Sequence, residues 1–310
     1  AIDKSLSVPN FRLGRRHRTV ERRALAGGKG VNIARTLKTL GVPVIATGFQ
    51  GGPTGTQIVA QLAEESILHD FVRIREESRT NTSVLDPTTG EQTEINEQGP
   101  AVDSDEIELF REKLLYLARG AQIVVFAGSL PRGVEGDFYA QLVREVRKLD
   151  VTTVVDTDGE PLRHAVRAEA DVVSPNVIEA EELVGHEFND DEDRVEAVHE
   201  IVSLGARAAI MTTAEGCWAQ VLDAGAPRAY RVTVPRVESV ATVGSGDAFL
   251  AGYIASRYRG ASEPESLRFG VACGAESTGR MGAGLIDVRA VDRLLGDVVA
   301  SELELPAGVR

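Results

Sequence analysis

From about Val42 onward, short runs rich in β-branched residues alternate with amphipathic stretches, and this alternation limits what the chain can fold into more than any other feature. Repeated βα units bury both faces of a sheet under helices, so the pattern specifies an α/β, doubly wound fold with a mainly parallel central sheet. The spacing predicts strands at Val42–Gly48, Ile123–Gly128, Val151–Asp156, Asp171–Ser174 and Ala208–Thr212. It predicts helices at Gly30–Leu40, Gly55–Glu64, Asp105–Leu117, Gly136–Leu149, Asn176–Leu183, Asp191–Ser203, Gly246–Tyr258, Pro264–Thr278 and Val288–Ala300. Two segments break the rhythm. Lys4–Ala24 and Thr80–Asn96 read as β-rich stretches without intervening helices, the second with a turn at Pro87–Gly90, and they are expected to pair as a small lid.

In open α/β sheets ligand loops gather beyond the carboxyl ends of the strands. GSLPRG (Gly128–Gly133), DTDG (Asp156–Gly159), SPN (Ser174–Asn176) and TTAEG (Thr212–Gly216) each follow a predicted strand. The segment TVGSGDAFLAGYI, Thr242–Ile254, carries the most chemistry. Gly244, Ser245 and Gly246 let main-chain N–H groups approach an anion, and the helix that follows adds the positive end of its dipole. Asp247 falls in the first helical turn, where that dipole favours the ionised carboxylate, a group able to accept a hydroxyl proton. A phosphate cradle beside a proton acceptor is what phosphoryl transfer to an alcohol requires; a plain glycine turn ahead of an Asp-started helix is the competing reading of these residues alone.

AGGKGVNIARTLKTLG, Ala26–Gly41, opens a helix with two glycines, Lys29 and Asn32. It is not a Walker A loop, because Gly30 stands where that motif places the magnesium-binding hydroxyl, and its glycine spacing excludes a dinucleotide fingerprint. What remains is an anion or polyol site with Lys29 and Asn32 as donors, or a capped helix start.

The net charge of −13 argues against nucleic acid or an anionic membrane as partner, so an anionic substrate needs a local positive patch. Arg12, Arg15, Arg16, Arg18, Arg22, Arg23 and Lys29 fall within eighteen residues that include only Glu21 as an acid. No apolar run reaches membrane-spanning length and the opening AIDKS is polar, so a cytoplasmic protein is expected. Cys217 and Cys273 show no metal or redox spacing and are expected to be buried thiols; His17, His69, His164, His186 and His199 show no ligand spacing either.

With GGKGVNIA near its start and TVGSGDAFLAG near its end, separated by GSLPRG, DTDG and SPNVIEAEE in that order, the chain resembles the PfkB branch of the ribokinase-like sugar kinases. The resemblance implies a ribokinase-like three-layer sandwich, one kinase domain over 1–310, with a discontinuous β-lid from about 4–24 and 78–98. Such a lid closes over the sugar and often clasps a second copy, so a homodimer through the lid is implied. AID at the start, SRTN at Ser78–Asn81 and TEINEQGP at Thr93–Pro100 are similar to the phosphofructokinase and tagatose-phosphate kinase group. That group implies ATP, Mg2+ and a sugar phosphate, with fructose 1-phosphate converted to fructose 1,6-bisphosphate as the first expectation. Tagatose 6-phosphate or fructose 6-phosphate, an unphosphorylated sugar or nucleoside, and a catalytically silent sugar-phosphate sensor stay open as alternatives.

By the same resemblance Asp247 is the base, with Gly244, Ser245 and Gly246 as the anion cradle. Asp3, Gly28, Lys29, Asn32 and Asn81 bind the sugar, and Arg79 and Arg16, or Arg15 or Arg18 in place of Arg16, hold its phosphate, a role suited to the bidentate guanidinium fork. Asn176, Thr212, Thr213, Glu215, Gly216, Gly244 and Gly246 bind the nucleotide, and Glu179 faces the metal. Asp156 and Asp158 are expected to cap and brace their turn. Ser174 replaces the family's usual lysine and Thr213 a frequent glycine. Family members also run a strand ending in T-L-N-P before A-I-D; because an absent inner strand would strand backbone polar groups in the core, further residues ahead of Ala1 are expected.

Overall fold

The structure, a computed structural model, describes residues 1–235, 243–280 and 282–305; Thr242 of the glycine motif lies outside them. In chain order the elements are β1 (Ile2–Ser7), β2 (Glu21–Ala26), α1 (Lys29–Thr39), β3 (Ile45–Gly51), α2 (Gly52–Glu64), β4 (Leu68–Ile74), β5 (Thr80–Leu85) and β6 (Gln92–Asn96). There follow α3 (Ser104–Ala118), β7 (Ile123–Ala127), α4 (Phe138–Arg147), β8 (Thr152–Asp156), α5 (Gly159–Arg167), β9 (Val172–Val173), α6 (Val177–Val184) and α7 (Asp191–Ser203). The remainder is β10 (Ala209–Thr213), β11 (Gly216–Asp223), β12 (Ala226–Thr233), α8 (Ser245–Tyr258), α9 (Glu263–Ser277), α10 (Val288–Leu295) and β13 (Val299–Leu303).

The large sheet runs β13-β12-β11-β10-β9-β8-β7. It is parallel from β7 to β10, where the βα alternation predicts it, and antiparallel from β10 to β13. Side-chain alternation divides its residues between two cores. Val124, Phe126, Val155, Ala209, Met211 and Trp218 face α3 to α7, while Val154, Ile210, Cys217, Ala219 and Val221 face α1, α8, α9 and α10. Each fully buried Val, Leu or Phe contributes about 1.5–3 kcal/mol, so two dry layers clamp the sheet from opposite sides. Both thiols are buried, as expected.

The two β-rich segments form a separate four-stranded sheet, β2-β1-β5-β6, with β1 parallel to β5 and antiparallel to β2. β3 and β4 pair with each other in parallel. Ile2, Ala26, Val31, Ala34, Ile58 and Leu62 seal a third core that ties α1 and α2 to these small sheets.

Several elements differ from the periodicity reading, among them β4, a strand that it does not predict. The predicted helix Val288–Ala300 stops at Leu295, where Gly296 caps it, and the residues after it turn into β13, which pairs with β12. Gly159–Arg167 is an unpredicted helix, and β11 and β12 form an unpredicted hairpin. Among the described residues no helix is long and apolar enough to cross a membrane.

Candidate active site

Sheet polarity gathers the loops. The ends of β7, β8, β9 and β10 deliver Gly128, Asp156, Ser174 and Thr212 to the rim of one cleft of about 980 Å³, as the strand-end rule requires. The cleft's other walls come from α1, the start of α8 and the face of the small sheet. Asn176 bridges to Thr212 across the sheet edge, which brings the SPN and TTAEG motifs side by side.

At the base of the cleft α8 begins without a capping side chain. Its N-cap, Gly244, has φ +82°, and a Cβ there would lie 2.5 Å from that of Ala283, so only glycine lets the loop after α9 pack this closely. A Cβ on Gly246 would meet nothing within 4 Å, which leaves the first helical turn open to the cleft. Uncapped N–H groups at a helix start are an anion site.

Asp247 is 6 % exposed and accepts a 2.9 Å hydrogen bond from Asn32 Nδ2, a residue 215 positions away. Burial, reinforced by the charge of Asp156, pushes its carboxyl up to about 7, against the pull of the Asn32 donor and of Lys29. The expectation that the helix dipole keeps Asp247 ionised therefore needs correction: loss of water outweighs the dipole, and the group is poised near neutrality instead. That is where a general base works best.

Lys29, the first residue of α1, donates to Asp156 Oδ1 at 2.7 Å and stands 3.7 Å from Glu179 Oε1. Burial alone would lower its pKa, but these carboxylates outweigh burial and hold it well above the usual lysine range. Burial in turn raises Asp156 and Glu179, partly offset by Lys29. Asp156 is thus an ion-pair partner inside the cleft and not the turn brace expected from sequence. Asp158 is the N-cap residue of α5, without a side-chain capping bond.

Where the cleft meets the small sheet, Asp3 Oδ1 accepts from Asn81 Nδ2 and Oδ2 from the Gly28 amide, both at 3.0 Å. A Cβ on Gly27 would sit 2.0 Å from Asp3 Oδ2, so the GG pair exists to seat this carboxylate. The Asn81 amide oxygen is buried with no partner. Arg79 reaches Ser129 Oγ at 3.3 Å and the Glu97 carbonyl at 3.4 Å; among the described residues no carboxylate pairs with it. Asn176 and Glu179 form a reciprocal capping box at the start of α6, with the Asn176 amide donating to Glu179 Oε2 at 2.8 Å.

The cleft therefore brings together Asp3, Gly28, Lys29, Asn32, Arg79 and Asn81 with Asn176, Glu179, Thr212, Thr213, Gly216 and Gly244–Asp247. Glu215 is exposed and Arg16 lies in the exposed connection between β1 and β2; neither lines the cleft. Sequence reasoning passed over Ser129, the serine of GSLPRG, and Arg35, one turn beyond Asn32; the signal for Ser129 was its place directly after a strand.

Residues 2–289 match the model of the pfkB family carbohydrate kinases. A 1-phosphofructokinase of Borreliella burgdorferi is 31% identical over 274 residues, covering 88% of this chain and 87% of that protein. A tagatose-6-phosphate kinase of Staphylococcus epidermidis is 30% identical over 315 residues, covering 98% and 97%. Among solved structures, the phosphofructokinase-2 of Escherichia coli in complex with substrates and products superposes with a TM-score of 0.88 at 30% identity, over 95% of each chain. A cleft that joins a cradle of helix-start amides, a buried carboxyl and an arginine with no carboxylate partner among the described residues, on a chain matched over nearly its full length, identifies the protein as a member of the pfkB family of carbohydrate kinases.

Proposed function

We propose that this kinase transfers the γ-phosphoryl group of ATP to a ketohexose phosphate, fructose 1-phosphate in the first place, giving fructose 1,6-bisphosphate and ADP. The observation that carries the reading is Asp247: a buried carboxyl of near-neutral pKa, fixed by Asn32, beside the open first turn of α8. Its carboxylate takes the proton of the attacking sugar hydroxyl as that oxygen bonds to the γ-phosphorus and the bond to the β-phosphate oxygen breaks. The N–H groups of Gly244, Ser245, Gly246 and Asp247 stabilise the charge on the phosphoryl group in transfer.

Asp3, oriented by Gly28 and Asn81, offers acceptors to sugar hydroxyls, and a hydroxyl arriving there satisfies the orphaned Asn81 oxygen. Arg79 and Ser129 supply donors for the phosphate already on the sugar; a guanidinium without a carboxylate partner supports an anionic substrate over a neutral one. Asn176, Thr212, Thr213 and Gly216 line the nucleotide side. Glu179, which lines the cleft, is the carboxylate that would hold Mg2+, a hard cation that favours oxygen ligands. When bound, Mg2+ neutralises charge on the β- and γ-phosphate oxygens.

The small sheet serves as the lid, keeping water from the phosphoryl group. The exposed Leu13 and Val20 of the connection between β1 and β2, with the exposed Ile95 on β6, support a homodimer through this side of the molecule, an arrangement that also gives the exposed Arg16 a phosphate to reach. ADP release with ATP and Mg2+, measured over fructose 1-phosphate, fructose 6-phosphate, tagatose 6-phosphate, fructose and ribose, tests the substrate. Fructose 1-phosphate is expected to give the highest kcat/KM; a higher value for tagatose 6-phosphate or fructose 6-phosphate moves the assignment within the group, and a higher value for either neutral sugar overturns it.

A further inference from the structure

Arg35 lies on α1 three residues beyond Asn32, outside the cleft, with a side chain only 5% exposed. Its guanidinium is clamped from several directions. Glu65, the C-cap residue directly after α2, takes Nε and Nη2 at 2.5 and 2.9 Å, the Ala26 carbonyl at the end of β2 takes Nη2 at 2.6 Å, and the Ala283 carbonyl lies 3.4 Å from Nη1. The same Nη1 donates to Asn32 Oδ1 at 3.3 Å.

We propose that Arg35 is a positioning residue for phosphoryl transfer: it fixes which end of the Asn32 amide faces Asp247. The inference rests on Asp247 being the proton acceptor. A guanidinium only donates and an ionised carboxylate only accepts, so an amide bridging the two has a single satisfied orientation, oxygen to Arg35 and nitrogen to Asp247. Reversed, the amide oxygen would face Asp247 and favour a protonated carboxyl, which cannot take a proton from the sugar. Shape alone gives Asn32 no preference between the two, because its ends are nearly the same size, and a protonated Asp247 could bond either end. The clamp supplies that preference, and it does so from helix α2 and strand β2, neither of which carries a reacting group.

The charges that act on Asp247 directly are those of Asp156 at the end of β8, Lys29 on α1 and Asp3 on β1. The charge of Arg35 is matched by Glu65, so its influence passes through the amide.

The test is the pH dependence of kcat/KM for the sugar phosphate in Arg35→Lys, which keeps a positive charge but loses the planar fork. Loss of one charge-assisted bond at Asp247 corresponds to an upward move of the acid limb by about one pH unit and about a fivefold fall in kcat/KM at pH 7. In an Asn32→Ala background the same substitution should change the limb by under about 0.3 units, since residues acting as one unit are non-additive. An unmoved limb in Arg35→Lys, or an equal shift in both backgrounds, overturns the proposal. Should Arg35→Lys not fold, Glu65→Gln loosens the clamp from the surface side and must move the limb in the same direction. The two readings fail separately: near-normal turnover of Asp247→Asn removes the base itself, whereas an inactive Asp247→Asn with an unmoved Arg35→Lys profile removes only this role.

Discussion

Asp247→Asn is expected to lower kcat by about 10³-fold while the affinity for ATP changes less than about threefold, because the amide keeps the shape of the cradle but cannot accept a proton. A coupled ADP assay and a nucleotide titration read the two quantities. The substitution also has a signed effect on stability. The folded-state pKa of Asp247, about 7, stands above the 3.8 of the free group, so its protonated form favours folding at low pH and that contribution is lost as pH rises through 7. At pH 8 the parent holds a buried, desolvated charge that the asparagine variant lacks. The variant is therefore expected to melt higher than the parent at pH 8, by an amount on the order of 1 kcal/mol, and the difference should close as pH falls toward 4. A variant that turns over normally, or that melts lower at pH 8, contradicts the role and the environment assigned to this carboxyl.

Arg79→Ala should raise KM for the sugar phosphate by about 100-fold, the loss of a charge-assisted contact to phosphate, and leave KM for ATP within about threefold. The asymmetry follows from position. Arg79 leads into β5 on the small sheet and meets Ser129 just beyond the end of β7, where the cleft borders that sheet and away from Thr212 and Asn176. Ser129→Ala should act in the same direction with a smaller effect, since a hydroxyl contributes a neutral hydrogen bond. An unchanged KM in Arg79→Ala would turn attention to a neutral acceptor sugar.

Much of this site was legible because its residue types announce themselves. Glycines at 244 and 246 ahead of an apolar helix, and GGKG ahead of α1, have few purposes other than close backbone approach, and both structures form at the predicted places. What the letters cannot carry is the environment. Asp247 in a first turn reads as an ionised helix starter, and only the packing of α1 and the loop after α9 over α8 removes its water. Asp156 reads as a turn brace until the fold brings Lys29, 127 residues away, within 2.7 Å of it. Arg35 gave no signal, because an arginine on a predicted helix is normally solvated and its clamp draws on residues distant in sequence.

The misread elements have local causes. β11 is buried on both faces from Gly216 to Val221, so the alternation that marks a half-exposed strand is missing, and its hairpin turns through Ala224 and Gly225 at φ 49° and 82° with none of the usual asparagine signal. In α5 the apolar set is only Leu162, Ala165 and Val166, and Pro161 in the first turn masks the start of a helix that accepts it there. Beyond Gly296 the apolar run continues, and pairing with β12 rather than helix propensity decides its state.

The most direct measurement is a crystal structure of the complex with fructose 1-phosphate, a non-hydrolysable ATP analogue and Mg2+. It should show an Asp247 carboxylate oxygen within about 3.2 Å of the acceptor hydroxyl, that hydroxyl in line with the terminal phosphorus, and the amides at the start of α8 directed at the terminal phosphate. An Asp247 carboxylate out of hydrogen-bond reach of the acceptor in the closed complex would contradict its role as the proton acceptor.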